Sequence, residues 1–238
     1  MKNLLITALV LASMSLSAQK MDFWLDAGLK VQSGFSSLYN ANAAEGEWAN
    51  AIAKSTKFGV KLGINFNYTG VSIDIMQGKQ NGKFMNQTGN FDRELSINTT
   101  DIYVLFRNAK NKGYIELGPK MSFIGDVRVT DDNTPSNQPQ DPYYETNNLG
   151  AVLGFGTYVL GPEDGRFSGI FGLRFEYGFQ DVTNDAGKVA GENRQPVNYL
   201  GDSSSTHPIF AGIVFELNWG IGGVGQARCG ERSKFIWF

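Results

Sequence analysis

Hydrophobic residues alternate with polar or small residues in one segment of the chain after another. The clearest case is TKFGVKLGINFNYTGVSIDI (56–75), where every second residue from Phe58 to Tyr68 is large and apolar. After a tight Thr69–Gly70 turn the alternation resumes. A period of two is typical of a β-strand whose two faces meet different surroundings.

Eight segments of the chain carry this period. Their alternating apolar residues lie within 23–31, 58–68, 71–75, 102–106, 115–123, 149–155, 167–179 and 209–219. The pattern therefore predicts eight strands and no convincing helix.

The predicted connections alternate in length. Three are tight turns with the sequences NYTG, NAKNKG and GPEDGR, rich in the residues that turns require. The other four are long, polar and expected to be loops, at about 33–55, 77–96, 125–146 and 181–206. Such long loops are uncommon in compact soluble domains. An antiparallel meander with tight turns at one end and long loops at the other is typical of outer-membrane barrels.

The residues between the apolar positions carry charges of both signs, whereas the apolar faces carry none. Six acids and six bases occupy these intervening positions: Asp26, Lys30, Lys57, Lys61, Asp74, Asp101, Arg107, Glu116, Lys120, Arg174, Glu176 and Glu216. Buried charge is tolerated only when it is paired. Equal numbers therefore suit a closed lumen whose charges neutralise one another, and not an ion-selective channel.

Two barrel architectures use this pattern in opposite ways. A soluble barrel of the lipocalin type holds its apolar face inside, whereas a membrane barrel turns that face toward lipid. An eight-stranded interior is too narrow for this many rings, and glycine beside long charged residues suits a narrow polar lumen. Aromatic residues near the strand ends fit an interfacial girdle: Phe23, Tyr68, Tyr177, Phe179 and Trp219. We therefore predict an all-β, eight-stranded antiparallel up-and-down transmembrane β-barrel with four long external loops and three short periplasmic turns.

The first residues of the chain indicate export. Lys2 precedes a short apolar run at Leu4–Leu11, followed by small residues, as in a secretory signal peptide. We expect a signal over residues 1–18 with cleavage after Ala18, and cleavage after Ser17 is the alternative. The apolar run falls short of the roughly 20 residues that a spanning helix needs. The barrel is then expected over 19–220, in the outer membrane of a Gram-negative bacterium.

Composition narrows the range of partners. The 238 residues include 29 glycines and have a formal net charge of −2, which gives no electrostatic reason to expect nucleic acid as a partner. Cys229 is the single cysteine, so no internal disulfide can form. The segment that contains it, 221–238, is expected to be a periplasmic tail outside the barrel, where an incidental thiol is the expected reading and an intermolecular disulfide the alternative.

Four stretches of the chain resemble a known group of barrels. The signal ending in SAQ, YIELGPKMSF (114–123), LGAVLGFGTY (149–158) and GIFGLRFEYGF (169–179) are similar to small outer-membrane barrel proteins of Bacteroidetes-type bacteria, the PorT-like or outer membrane protein β-barrel domain proteins. The resemblance covers about 20–220. It implies no catalytic residues. PorT itself is associated with a protein secretion and gliding apparatus, which makes an accessory role in a secretion assembly one expectation.

Candidate catalytic and metal-binding residues are few. His207, with Asp202 and Ser205, could form a base, its carboxylate and a hydroxyl, as lipid-modifying enzymes need, or it could be a solvated loop histidine. Asp131 and its neighbours Asp132 and Asn133 lack the spacing of a Ca²⁺ loop. We expect no catalytic site, no metal and no cofactor.

Aromatic residues in the predicted loops have two interpretations. They form a contact surface for a partner, or they pack loop against loop: Tyr39, Trp48, Phe84, Phe91, Tyr143, Tyr144 and Tyr199. The sequence therefore favours a non-enzymatic structural or binding barrel with outer-membrane lipid and an envelope or secretion-system protein as partners. The alternatives are a lipid-modifying enzyme and a small-solute pore.

Overall fold

Eight long antiparallel strands close into a ring. The computed structural model describes residues 23–40, 48–66, 68–86, 92–131, 138–139, 141–161, 167–189, 205–225 and 234–237. The ring strands in chain order are β1 (Phe23–Asn40), β3 (Ala53–Phe66), β4 (Thr69–Asn86), β5 (Asp92–Lys110), β6 (Gly113–Asp131), β8 (Asn147–Leu160), β9 (Phe167–Gly178) and β10 (Thr206–Gly225). Each pairs with the next, and β10 pairs with β1 to complete the barrel. The prediction of an eight-stranded up-and-down barrel is confirmed.

Short elements decorate the ring at its ends. β2 (Trp48–Ala51) pairs with β4, and β7 (Gln138–Pro139) pairs with β6. A 3-10 turn spans Asp141–Tyr143, and the helix α1 spans Asp185–Val189. The expectation of no helix was wrong for α1, because five residues are too few to show a helical period. No helix in the described part of the chain is long and apolar enough to cross a membrane.

Tight turns join the strands at one end of the barrel. Between β5 and β6 the two turn residues, Asn111 and Lys112, have φ values of 55° and 67°. Two successive residues with positive φ match the type I′ hairpin, whose twist suits the flanking strands. Asparagine adopts this conformation more readily than most residues. The barrel end with these turns is called the short-turn end below.

The outer surface of the barrel is apolar over a broad band. Outward residues of β6 from Ile115 to Phe123 are exposed, and Leu62 on β3 is 62 % exposed. Eight residue steps along a tilted strand rise about 20 Å, close to the roughly 25 Å apolar band of transmembrane barrels. Exposed apolar side chains at this density are favourable only against lipid.

Aromatic residues lie at both edges of the apolar band. At the short-turn end the rings of Phe23 and Phe66 are 5.3 Å apart, and Tyr68 is exposed beside them. Near the opposite edge the rings of Tyr177 and Phe179 are 5.9 Å apart. These positions fit the interfacial girdles expected from the sequence.

The strands extend well beyond this band at the end opposite the short turns. The predicted loops at 33–55 and 77–96 were largely wrong, because most of their residues belong to strands. Of the loop predicted at 125–146, the first seven residues belong to β6. On β4 and β5 the outward side chains at 77–83 and 94–100 are polar, so the apolar alternation that marks a lipid-facing strand stops while the backbone pairing continues. The extensions form a wall that rises above the membrane.

Polarity inverts along single strands where this wall begins. Outward side chains of β4 are Val71, Ile73 and Ile75, and then Gln77, Lys79, Asn81 and Lys83. Inward side chains of β4 change in the opposite sense, from Ser72 and Asp74 to the buried Phe84. The same strand is therefore apolar outside in the membrane and apolar inside above it.

A β-bulge in β6 achieves the same inversion by another route. Gly125 and Asp126 together lie opposite Asn98 of β5, where the register of the two strands shifts. The extra residue moves later side chains to the other face. Val127 therefore points inward, although it lies four positions after the outward Phe123 and regular alternation would turn it outward.

The last ring strand is longer than the sequence pattern indicated. β10 runs to Gly225, past the expected end near Trp219, and its final residues pair with β11 (Lys234–Trp237). Residues 226–233, which include Cys229, and the predicted signal at 1–18 lie outside the described residues.

Candidate functional site

The twelve charged residues predicted to line the lumen all lie inside the barrel. None is more than 8 % exposed. They form two clusters of ion pairs. The eight-charge cluster consists of Asp26, Lys30, Lys61, Asp74, Arg107, Glu116, Arg174 and Glu216. The four-charge cluster consists of Lys57, Asp101, Lys120 and Glu176.

Glu216 of β10 lies at the centre of the eight-charge cluster. Lys61 Nζ and Arg107 Nη1 donate to its Oε1 at 2.9 and 2.8 Å. Lys30 Nζ lies 2.9 Å from its Oε2. Lys61 also donates to Asp26 at 3.2 Å. One carboxylate from the last ring strand thus holds cations from β1, β3 and β5.

Two arginines extend this cluster across the lumen. Arg107 Nη2 donates to Glu116 Oε2 at 2.7 Å, and Arg174 donates to the other oxygen of Glu116. Arg174 Nη2 also lies 3.5 Å from Asp74, which is paired with Lys30. Every carboxylate of these contacts therefore faces a cation from a different strand.

The four-charge cluster lies nearer the wall. Lys120 Nζ donates to Glu176 Oε2 at 2.8 Å, and Lys57 Nζ lies 3.6 Å from the same oxygen. Lys57 also donates to Asp101. Both clusters are neutral, with four acids and four bases in one and two of each in the other.

Gln32 links the two clusters and Tyr103 bridges two carboxylates of the four-charge cluster; the sequence reasoning missed both residues. Gln32 Nε2 donates to Glu176 at 2.6 Å, and Arg174 Nη1 donates to Gln32 Oε1 at 3.3 Å. The Tyr103 hydroxyl lies 3.0 Å from Asp101 and from Glu176, so its one proton serves one carboxylate at a time. Their place in the inward phase of β1 and β5 was the signal that could have found them.

Apolar and aromatic side chains close the lumen at the short-turn end. Tyr114 and Ile170 are buried there, and Tyr158 packs edge-on to Tyr114 at 6.4 Å between ring centres. The Arg107 guanidinium stacks over the Tyr114 ring at 4.7 Å. The charged clusters are therefore separated from the periplasmic end by a packed aromatic floor.

Inward glycines make room for the long charged side chains. A β-carbon at Gly154 would lie 2.8 Å from the Cγ and Oε1 atoms of Glu116. One at Gly172 would overlap the Tyr114 hydroxyl. Side chains that line a water-filled pore keep accessible surface, whereas these are almost fully covered. The lumen is closed at the level of both clusters.

A second, apolar core fills the barrel inside the wall. This apolar cap consists of Leu38, Phe84, Leu95, Ile97, Val127, Val129, Tyr144 and Val182, with Ile124 and Tyr143 packed against it. Burial raises the pKa of the Tyr144 phenol above its ordinary value, so this ring stays neutral. The cap closes the end of the lumen opposite the aromatic floor.

The cap corrects part of the predicted contact surface. Phe84 and Tyr144 are 1 % and 4 % exposed, so neither can meet a partner, because the strand extensions enclose them. Tyr143 is half-buried against them, which fits the interpretation of packing between loops. Tyr39 is exposed on the outer face of β1. The side chain of Trp48, and both Phe91 and Tyr199, lie outside the described part of the chain.

His207 lies on the outer face of the barrel and not in a loop. Its ring stacks on Tyr177 at 5.6 Å with an interplanar angle of 19°, and its Nδ1 lies 3.1 Å from the carbonyl oxygen of Gly178. A backbone carbonyl thus occupies the place that the carboxylate of a catalytic triad takes. Ser205 is exposed next to the start of β10, and Asp202 is outside the described residues.

Metal ligands do not gather in the described part of the structure. No group of three or more His, Cys, Asp or Glu side chains is close enough there to hold an ion. The predicted weak Ca²⁺ candidates are not tested by this, since Asp132 and Asn133 and the side chain of Asp131 are outside the described residues.

An apolar exterior, a charge-paired interior and a closed ring together define a class of protein. Closure satisfies every backbone hydrogen bond of the ring, which a strand needs to cross hydrocarbon. The chain is an outer-membrane β-barrel, and its place is the outer membrane of a Gram-negative bacterium.

Comparison with known proteins finds solved outer-membrane barrels that are similar in structure and low in sequence identity to this chain. No protein-family model and no curated protein matches the chain. Among solved structures, it is similar to Neisserial surface protein A (15 % identity, TM-score 0.36), covering 81 % of this chain and 95 % of that one. It is also similar to the outer membrane protein OprG from Pseudomonas aeruginosa (12 % identity, TM-score 0.31), covering 83 % of this chain and 96 % of that one. A third similar structure is the translocator domain of the autotransporter NalP from Neisseria meningitidis (9 % identity, TM-score 0.28), covering 92 % of this chain and 95 % of that one.

These likenesses carry no functional argument, since all three TM-scores are below 0.5. The class rests on the pairing and polarity of this barrel itself. The resemblance to PorT-like proteins of Bacteroidetes-type bacteria is supported by none of these matches, and the coarser class of outer-membrane β-barrel stands in its place.

Proposed function

We propose that the protein is a non-enzymatic outer-membrane barrel that supports a binding wall at the cell surface. The observation that carries the proposal is the closed lumen, in which two neutral clusters of ion pairs lie between an aromatic floor and an apolar cap. A barrel filled in this way offers no path for a solute. Its remaining surface for interaction is the wall above the membrane, with the connections that join its strands.

A small-solute pore is the first alternative, and conductance separates it from our proposal. The full-length barrel is reconstituted into a planar bilayer, with a trimeric porin as the positive control. We expect no steady channel, because water does not reach the clusters. A matched variant that replaces Lys57, Asp101, Lys120 and Glu176 with serine keeps the lumen neutral and empties one layer. Steady single-channel steps in the unaltered protein would overturn the proposal.

A lipid-modifying enzyme is the second alternative. His207→Ala removes the single histidine of the chain, and Tyr177→Ala removes the ring on which it stacks. We expect the outer-membrane lipids of cells with either variant to match those of the wild type by mass spectrometry. A lipid modification lost in His207→Ala but kept in Tyr177→Ala would establish the enzyme and refute our proposal.

Partner binding by the wall is tested by photocrosslinking in intact cells. A photoreactive amino acid is placed at Tyr39, on the outer face of the wall, and at Phe106 in the apolar band as the matched lipid-facing control. We expect a crosslinked envelope protein from position 39 and only lipid adducts from position 106. The same adducts at both positions would count against a protein partner on this face. A secretion assembly is the specific partner to look for among the crosslinked proteins.

A further inference from the structure

A continuous groove runs up the outer face of β3 to β6, from the apolar band to the wall. Its first part, about 780 Å³, lies between Phe58 and Phe123 at the bottom and Lys79, Asn98 and Asp126 above them. Its second part, about 700 Å³, shares the last three residues. It continues upward along Asn81, Ser96, Glu94, Arg128 and Thr130.

The groove stands at the boundary between lipid and water. The uninterrupted apolar run on the outer face of β4 ends at Ile75, followed by Gln77 and Lys79. At about 3.3 Å per residue on a strand tilted by about 40°, these lie about 5 and 10 Å above the apolar band. The headgroup layer is about 5–8 Å thick on each side of a bilayer. The middle of the groove is therefore at the height of lipid headgroups and the water next to them.

Polar groups in the groove are open to a ligand. Within the described residues, Lys79, Arg128 and Asp126 form no ion pair. An anionic group of a ligand can therefore form charge-assisted hydrogen bonds with Lys79 and Arg128.

The bulge in β6 is what opens this part of the surface. The two residues opposite Asn98, Gly125 and Asp126, both line the first part of the groove. Gly78 on β4 lines it as well. Gly125 has no side chain, so a ligand can approach the backbone of the bulge closely. Bulges are frequent beside binding sites, where they redirect a side chain, here that of Asp126.

We propose that the groove binds one phosphorylated glycolipid of the outer leaflet. Lys79 and Arg128 hold phosphate, amides and hydroxyls of the wall hold sugar hydroxyls, and acyl chains run down over Phe58 and Phe123. We choose this ligand because the residues that line the groove change from apolar at the bottom to charged and polar above. Apolar rings lie at the depth of acyl chains. Two cations lie above them at the height of a sugar phosphate, beside amides, hydroxyls and the carboxylates of Asp126 and Glu94. A water-soluble protein partner would leave the two phenyl rings without a role.

Native mass spectrometry of the full-length barrel in mild detergent tests the proposal. The probe is hexa-acyl, bis-phosphorylated lipid A, with its dephosphorylated form and phosphatidylglycerol as comparison lipids. We expect one lipid A per barrel, bound more tightly than either comparison lipid. Lys79→Gln with Arg128→Gln should weaken lipid A binding about tenfold or more, because two charge-assisted contacts are lost.

A control double variant distinguishes binding in the groove from nonspecific attraction to positive charge. Lys110→Gln with Lys112→Gln makes the same change in charge at the short-turn end and should leave lipid A binding unchanged. All four positions are exposed or at a turn, and folding of both variants is checked by heat-modifiable mobility. Equal losses in the two pairs, or equal binding of phosphatidylglycerol, would overturn the proposal. Failure here leaves the closed-lumen barrel untouched, since conductance tests that separately.

Discussion

The two halves of this barrel have opposite interiors. Within the membrane the inner face holds twelve charges in ion pairs and the outer face is apolar. Within the wall the inner face is the apolar cap and the outer face carries lysine, glutamate, serine and asparagine. Four of the eight ring strands, β1, β4, β5 and β6, contribute side chains to both interiors.

The difference shows that the solvent outside the wall decides which face is apolar. Against lipid, the outer face must be apolar, and the inner face can then carry charge provided that each charge has a partner. Against water, the usual arrangement of a soluble protein returns. The two interiors should therefore respond differently to substitution, one through charge balance and the other through packing.

The largest expected effect comes from removing one charge at the centre of the eight-charge cluster. Glu216→Gln keeps the side-chain volume and leaves one uncompensated positive charge among Lys30, Lys61 and Arg107. Breaking a buried ion pair in this way costs about 3–5 kcal/mol. The measurement is urea unfolding of the barrel in lipid vesicles, followed by tryptophan fluorescence.

A compensating variant isolates the role of charge balance. Glu216→Gln with Lys30→Met restores neutrality, and Asp74 keeps Arg174 as a partner. We expect this pair to recover most of the lost stability. A double variant no more stable than Glu216→Gln alone would show that geometry, and not balance, governs this interior.

Removing the buried ring of Phe84 from the apolar cap should have a somewhat smaller and more local effect. Phe84→Ala leaves a cavity between Leu38 and the neighbouring strands, and such truncations cost about 3–4 kcal/mol. Hydrogen exchange should rise in the wall segments of β4 and β5 while the membrane segments stay protected. Equal exchange in both halves would mean that the two interiors unfold as one unit.

The smallest effects are expected for two substitutions on the outer face of β5, one within the membrane and one above it. Val104 and Asn98 both point outward from β5, the first in the apolar band and the second in the wall. Val104→Arg should cost about 2–4 kcal/mol, because the charge meets lipid. Asn98→Arg should stay within about 0.5 kcal/mol, as at an ordinary water-exposed position. Unfolding in vesicles measures both, and similar costs would place the two residues in one environment.

Sequence pattern was sufficient for the membrane half and insufficient for the wall. In the membrane half, lipid imposes an uninterrupted apolar face, so Ile102 and Val104 mark their strand without any tertiary information. In the wall of the same strand, Leu95 and Ile97 carry the alternation in the opposite phase. In the sequence, this shift of the apolar residues from one face to the other looks like the end of a strand. In the structure it marks the height at which the surroundings of the strand change from lipid to water.

The bulge is a feature that the sequence did not reveal. Phe123, Val127 and Val129 share one phase in the sequence, yet the first faces lipid and the others face the cap. Only the pairing of Asn98 with two residues explains this. The charged residues could be placed in the lumen because alternation assigns a face, whereas their division into two clusters depends on which strands meet across the barrel.

The ion pairs of the lumen link residues that are distant along the chain. Lys61 and Glu216 are 155 positions apart, and Arg107 and Glu216 are 109 apart. An open sheet that lacks the final strand would expose three cations to hydrocarbon without their shared carboxylate. Partly assembled forms are therefore penalised until the first and last strands join. We expect membrane insertion and barrel closure to occur together, because the carboxylate of Glu216 reaches its three cations only when β10 joins the ring.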